Sequence, residues 1–190
     1  MEEKNKKTSA TKQAKIDALL KELSNSNISK VKLTLEALKL YGDPSILPRA
    51  IKELTLESHS EKNNAIIEFL SCLKDAKARS VMMNLVQDAE YIAYRQILLS
   101  TLWNSPLDYT DYLEVFVDLA IKGDFMITLE CLTIIENLDG PFSEKSVMES
   151  QVLLGNYAET NPDKSSQKGG LISEIALLIQ DFQRLVDSED

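Results

Sequence analysis

The stretch ALKLYGDPSILPRAIKEL, Ala37 to Leu54, is a helix-forming run that stops at Gly42-Asp43-Pro44 and restarts at once with the same apolar spacing. Glycine terminates helices, aspartate accepts hydrogen bonds from the first amides of the next one, and proline fits a first turn but not a helix interior. The break therefore reads as a turn that folds a second helix back onto the first, because neither helix alone could cover its apolar stripe.

The same periodicity runs along the chain. Ile16, Leu19, Leu20 and Leu23 form one stripe, Ile66, Phe69, Leu70 and Leu73 a second, and Leu171, Ile175, Leu178, Phe182 and Leu185 a third, at steps of three and four. Val31, Leu33 and Leu35 alternate as a strand would, but Glu36 to Leu40 continues with helix formers and no second strand is at hand to pair. Turn signals punctuate the stripes: Ser105-Pro106, Ser58 with Glu61 at capping-box spacing, Gly123-Asp124 and Gly140-Pro141. These predict helices of about four turns joined by tight connections.

Leu38, Leu70, Leu102 and Ile134 recur every 32 residues, each near the end of an expected first helix, and Asp43 recurs as Asp75 in the turn. A period in this range is what stacked helix pairs produce. Helices in such a stack are buried on two sides, which for the first of them means Val31, Leu35 and Leu38 on one side and Leu33, Ala37, Leu40 and Tyr41 on the other. A non-repeating bundle is the competing reading.

The segment LEALKLYGDPSILPRAIKELTLESHSEKNNAIIEFLSCLKD resembles a HEAT repeat of the short bacterial type: a Leu-rich first helix, a Gly-Asp-Pro turn, ILPRAIKEL as the second helix, and AIIEFL opening the next first helix. The likeness is clearest over residues 30 to 90 and extends more loosely to about residue 140. It departs at Asn63-Asn64, where the family often has Val-Arg. The resemblance implies an α-α superhelix, armadillo-like in kind, acting as a scaffold or adaptor that binds a partner along its second helices. It carries no catalytic residue across. HEAT-like DNA glycosylases form the alternative within the same resemblance.

Composition and charge bound the function. The 190 residues, 21.3 kDa and 44% apolar content fit one domain with a sizeable core. No window approaches the ~18 apolar residues of a membrane span, and the N-terminal stretch has no apolar leader segment; a cytoplasmic protein away from membranes is expected. Residues 1 to 15 carry 5 Lys against 2 Glu, residues 16 to 104 carry 11 of each sign, and residues 105 to 190 carry 5 basic against 17 acidic residues. The last part would repel a phosphate backbone, which argues against nucleic acid. Residues 1 to 14 read as a disordered Lys-rich tail, with tethering as the rival role, and residues 15 to 190 as one repeat domain.

Candidate chemistry is sparse. Cys72 and Cys131 sit in apolar helical patterns and read as free buried thiols rather than a disulfide or metal pair. His59, in an expected link, has no second histidine with which to build a metal or nucleophile site. Asn27-Ile28-Ser29 fits a glycosylation triplet only in a secreted chain. Gly169-Gly170 reads as the flexible end of a loop from about Asn161, not a phosphate cradle. No catalytic residue, cofactor or metal site is expected.

One polar constellation remains. On a helix beginning near Pro106, Leu113, Phe116, Val117 and Ala120 take one face with Tyr109 and Tyr112 at its edge, while Asp108, Asp111, Glu114 and Asp118 share another. With no basic residue between Arg95 and Lys122, these carboxylates are expected to lack a helical ion-pair partner. A solvated acidic face, a docking surface for a basic protein and a divalent-metal site are the three readings. Tyr91, Tyr94 and Trp103 are expected to pack between repeats; an exposed Trp103 would favour binding. The overall expectation is all-α: an N-terminal helix, about four hairpins and a closing helix at 171 to 187, roughly nine helices in total, serving non-catalytic protein binding.

Overall fold

The computed structural model describes residues 2–40, 43–55, 60–161 and 166–189, with side chains from residue 11 to residue 188. Tyr41, Gly42, Ser58 and His59, singled out above, lie outside the described residues. Among the described residues the chain is all-α, with ten α-helices, three 3-10 turns and no strand. The chain divides into two compact units, Met1–Ile97 with Ser105–Leu107, and Leu98–Asn104 with Asp108–Asp190.

The first unit begins with α1 (Glu2–Glu22), so the Lys-rich stretch assigned to a tail forms the opening turns of a helix. Its apolar anchor begins only at Ile16; Ile16, Leu20 and Leu23 are buried, and α1 packs on α2 (Ile28–Lys39). Asn27 accepts from the amides of Ser29 and Lys30, so the triplet noted above is a helix cap. Val31, Leu35 and Leu38 bury one side of α2. The expected second side is not buried: Leu33 and Leu40 are exposed and Ala37 is half-buried.

Asp43 then accepts from the Ser45 amide at the head of a 3-10 turn, Pro44–Ile46, which runs into α3 (Leu47–Ile51). This second helix has five residues rather than about four turns. Pro44 and Pro48 supply no N–H, so regular i to i−4 bonding is postponed and the segment starts as a 3-10 turn. α4 (Glu61–Ser71) is capped by Ser60, and α5 (Ala76–Gln87) by Asp75. α2 lies on α4, and α3 lies on α5 and α4. A 3-10 segment, Ala89–Tyr94, leads to α6 (Arg95–Trp103), which passes into the second unit at Leu98.

Asn63, expected above to mark a departure from the HEAT resemblance, has a defined structural task. It is buried, its Oδ1 accepts from the Thr55 amide at 3.0 Å, and its Nδ2 donates to the Thr55 carbonyl at 2.7 Å. A side-chain amide thus closes the connection from α3 to α4, a task Val could not perform. Alongside it Glu53 accepts from Lys62 Nζ and from Ser24 Oγ, each at 2.6 Å.

The second unit holds the 3-10 turn Thr110–Tyr112, α7 (Leu113–Lys122), α8 (Phe125–Glu136), α9 (Glu144–Thr160) and α10 (Gln167–Glu189). α7 packs on α8 and α9, and α10 packs on the same two, around Leu113, Phe116, Val117, Ile135, Val147 and Ile175, all 0% exposed. Two devices fix the α7 to α8 corner. Thr128 Oγ1 donates to the Ala120 carbonyl across the turn, and the Lys168 ammonium donates to the carbonyls of Ile121 and Gly123, where the dipole of α7 favours a cation. Gly123 admits no Cβ, which would stand 2.5 Å from that of Ile127.

Two expectations need correction in this unit. α10 begins at Gln167, so Gly169 and Gly170 belong to its first turns rather than to a loop. Its buried stripe is Ile172, Ile175, Ile179 and Phe182, with Leu171 and Leu178 half-buried and Leu185 exposed. Neither cysteine is in a disulfide; Cys131 is buried as expected and Cys72, the cap residue ending α4, is exposed.

Candidate interaction surface of the second unit

Charge follows the division into units. The first contains 16 basic and 13 acidic residues, a net +3, and the second 5 basic and 17 acidic, a net −12, together the −9 of the chain. The acidic constellation around residue 110 belongs to the second unit, yet its members do not form one face. Asp108 precedes the helical segment and its Oδ1 accepts from the amide and hydroxyl of Thr110, at 2.8 and 2.6 Å. Tyr109 is 3% exposed and meets Phe116 edge-on, centroids 6.5 Å apart, so it is core rather than rim.

Asp111 is exposed and Tyr112 half-buried on the 3-10 turn. With three residues per turn that segment does not keep the phase of α7, which begins only at Leu113 and not near Pro106. Glu114 is half-buried with Oε2 enclosed and unbonded among the described residues. Asp118 does have a helical partner, contrary to expectation: Lys122 Nζ lies 2.7 Å from its Oδ2, four residues on. Among the described residues no group of three or more His, Cys, Asp or Glu is placed to hold a metal ion, and no helix is long and apolar enough to cross a membrane.

The sequence reading missed what stands nearby in the same unit. Trp103, the last residue of α6, is 43% exposed, whereas Tyr91 is buried and Tyr94 half-buried as packing residues. The Trp103 Nε1 donates to Glu130 Oε2 on α8 at 3.2 Å, which fixes the plane of the indole. Met126, one turn earlier on the same face of α8 as Glu130, is 39% exposed, and Phe125 beside it is 38% exposed. An indole and, one helical turn away, a thioether thus stand beside a carboxylate on open surface, while Phe125, five residues before Glu130, lies on another side of α8. The signal for this was present: Leu98, Leu99 and Leu102 define the buried stripe of α6, and one further step of ~100° carries Trp103 past its edge just before the helix stops.

The first unit has a cleft of about 460 Å³ lined mainly by Leu38, Ile46, Leu47, Phe69 and Leu73, with Cys72 at its rim. Most of its charged groups are engaged internally: Lys39 with Glu36, and Asp43 and Asp75 as helix caps.

Comparison with protein-family models, with curated proteins and with solved structures finds no match. The likeness to HEAT repeats therefore rests on the residues quoted above alone.

Proposed function

We propose that the chain is a non-catalytic scaffold or adaptor, a HEAT-like stack of helical hairpins in the cytoplasm that binds another protein through the surface of its acidic unit. The observation that carries this reading is the exposed Trp103 bonded to Glu130, with the exposed Met126 one turn earlier on the same face of α8. Tryptophan is usually largely buried, and tryptophan, methionine and phenylalanine are enriched where proteins meet. The net −12 of the unit supports a partner with a basic surface and disfavours a phosphate backbone. Asp111, exposed, and Tyr112, half-buried, belong to the same unit and are further candidates for such a contact. Tyr109, in the core, has no part in it, and Asp118 enters only by exchanging Lys122 for a partner cation.

The test is site-specific photo-cross-linking in cells of the source organism, with the cross-linking residue at Met126 and, as control, at Met148, which is exposed on α9 of the same unit. The expected result is a protein captured at residue 126 and not at 148 that, once purified, binds the native chain and loses affinity for Trp103→Ala. A purified capture that fails to bind, or identical captures at both positions, would sink the proposal.

A further inference from the structure

Resting on the reading just given, we infer that the Trp103–Glu130 surface receives an arginine-bearing apolar segment of the partner, the guanidinium lying over the indole and hydrogen-bonding to Glu130. The argument begins with the carboxylate. Glu130 accepts the indole N–H through Oε2, while its Oε1 has no bond among the described residues. That first bond seats the carboxylate at the N–H edge of the ring, beside whatever stacks on the ring's face. A planar guanidinium stacks on an aromatic face and donates in the same plane, which a lysine ammonium, a compact point charge, does not do.

The surroundings select the rest of the segment. Met126, one turn before Glu130 on the same face, offers exposed apolar area next to the carboxylate, and methionine adapts to side chains of varied shape. A partner segment that brought only charge would leave it uncovered, and one that brought only apolar side chains would bury the Glu130 carboxylate without a counter-ion. The remaining unit, with 17 acidic against 5 basic residues, steers a cationic segment toward this surface and repels an anionic one.

Trp103 is the sole tryptophan, so its emission reports this site alone. The probes are three synthetic amphipathic peptides identical except that their charged positions hold Arg, Lys or Glu, titrated into the full chain by tryptophan fluorescence and by calorimetry. The Arg peptide is expected to bind saturably, shift or quench the Trp103 emission, and exceed the Lys peptide by about threefold to fivefold, the scale of one exposed cation–π contact. The Glu peptide is expected not to bind.

Trp103→Ala and Glu130→Gln should each weaken the Arg peptide by a similar factor and abolish its advantage over the Lys peptide. Glu130→Gln, which is nearly isosteric and keeps the indole, answers for the site if Trp103→Ala unfolds. Equal binding of Arg and Lys peptides with no effect of either substitution would mean attraction by bulk charge, and the inference would fail. Absence of binding by the Arg peptide would overturn it as well. Neither outcome touches the scaffold reading, which stands or falls on the cross-linked partner.

Discussion

Asn63→Leu removes a single polar group whose geometry is fully specified. The wild-type amide bonds both backbone groups of Thr55, at 3.0 and 2.7 Å, from a side chain only 5% exposed. Each such bond is worth about 1 kcal/mol net, and a partner left buried without one costs about 1 to 3 kcal/mol more. Thr55 is itself exposed, so water can reach its released N–H and carbonyl and most of that additional cost is avoided. Leucine has the branching of asparagine but bulkier ends, so no cavity opens and any overpacking only adds to the loss. The loss should therefore be about 2 kcal/mol, about a thirtyfold rise in the opening equilibrium of the segment it closes.

Native-state hydrogen exchange read by mass spectrometry is the suitable assay because it resolves helices within a chain of two compact units, where one global transition is not guaranteed. Peptides from α3 and α4 should exchange faster by about that factor, and Asn63→Asp, which keeps Oδ1 but turns a carboxylate oxygen toward the Thr55 carbonyl, should do no better than leucine. A change below about twofold in α3 and α4 would refute the reasoning, since it would mean the two hydrogen bonds merely replace equivalent bonds to water.

Two further outcomes follow from side-chain environments. Burial pushes the Glu53 carboxyl up, but hydrogen bonds from Lys62 and Ser24, with the charges of Lys62 and Arg49, more than offset it and hold the group below the usual range. A carboxylate depressed in the folded state adds stability above its unfolded value of about 4.3 and loses it as pH falls through the folded value, so urea midpoints should decline below about pH 4.3 and decline less steeply in Glu53→Gln. Under native conditions a bulky maleimide should modify Cys72 alone, Cys131 reacting only after denaturant is added; prompt double labelling by mass spectrometry would contradict the burial of Cys131.

The helical class and several helix starts were legible in the sequence because they are written by residues with little freedom. Leu38, Leu70, Leu102 and Ile134 are all at most 2% exposed, and Asp43, Asp75 and Asp124 all cap the elements that follow them. What escaped were questions of phase. In LISEIALLIQDF the sets 171, 175, 178, 182 and 172, 175, 179, 182 are equally good helical stripes, and only the packing of α8 and α9 selects the second. Around residue 110 the acidic face was drawn on a helix that does not exist there; a 3-10 turn rotates Tyr109 into the core and separates Asp108 from Glu114. Trp103 escaped because residue type argues for burial while its position, one step past the stripe and at a helix end, argues against it.

The charge of the second unit bears on the same surface. Its described basic residues are already committed: Lys122 to Asp118, Lys145 to Glu149 and Arg184 to Asp181 within single helices, and Lys168 to the carbonyls that end α7. Exposed pairs one turn apart contribute only about 0.3 to 0.5 kcal/mol, far too little to offset the mutual repulsion of a net −12. The excess carboxylates thus cost the folded unit stability. Among them, the Glu130 carboxylate meets the exposed Trp103 ring at 3.2 Å. A cation delivered by a partner would relieve the repulsion and use that fixed ring at once, so stability and recognition favour the same occupant, and added salt should weaken its hold while stabilising the unoccupied unit.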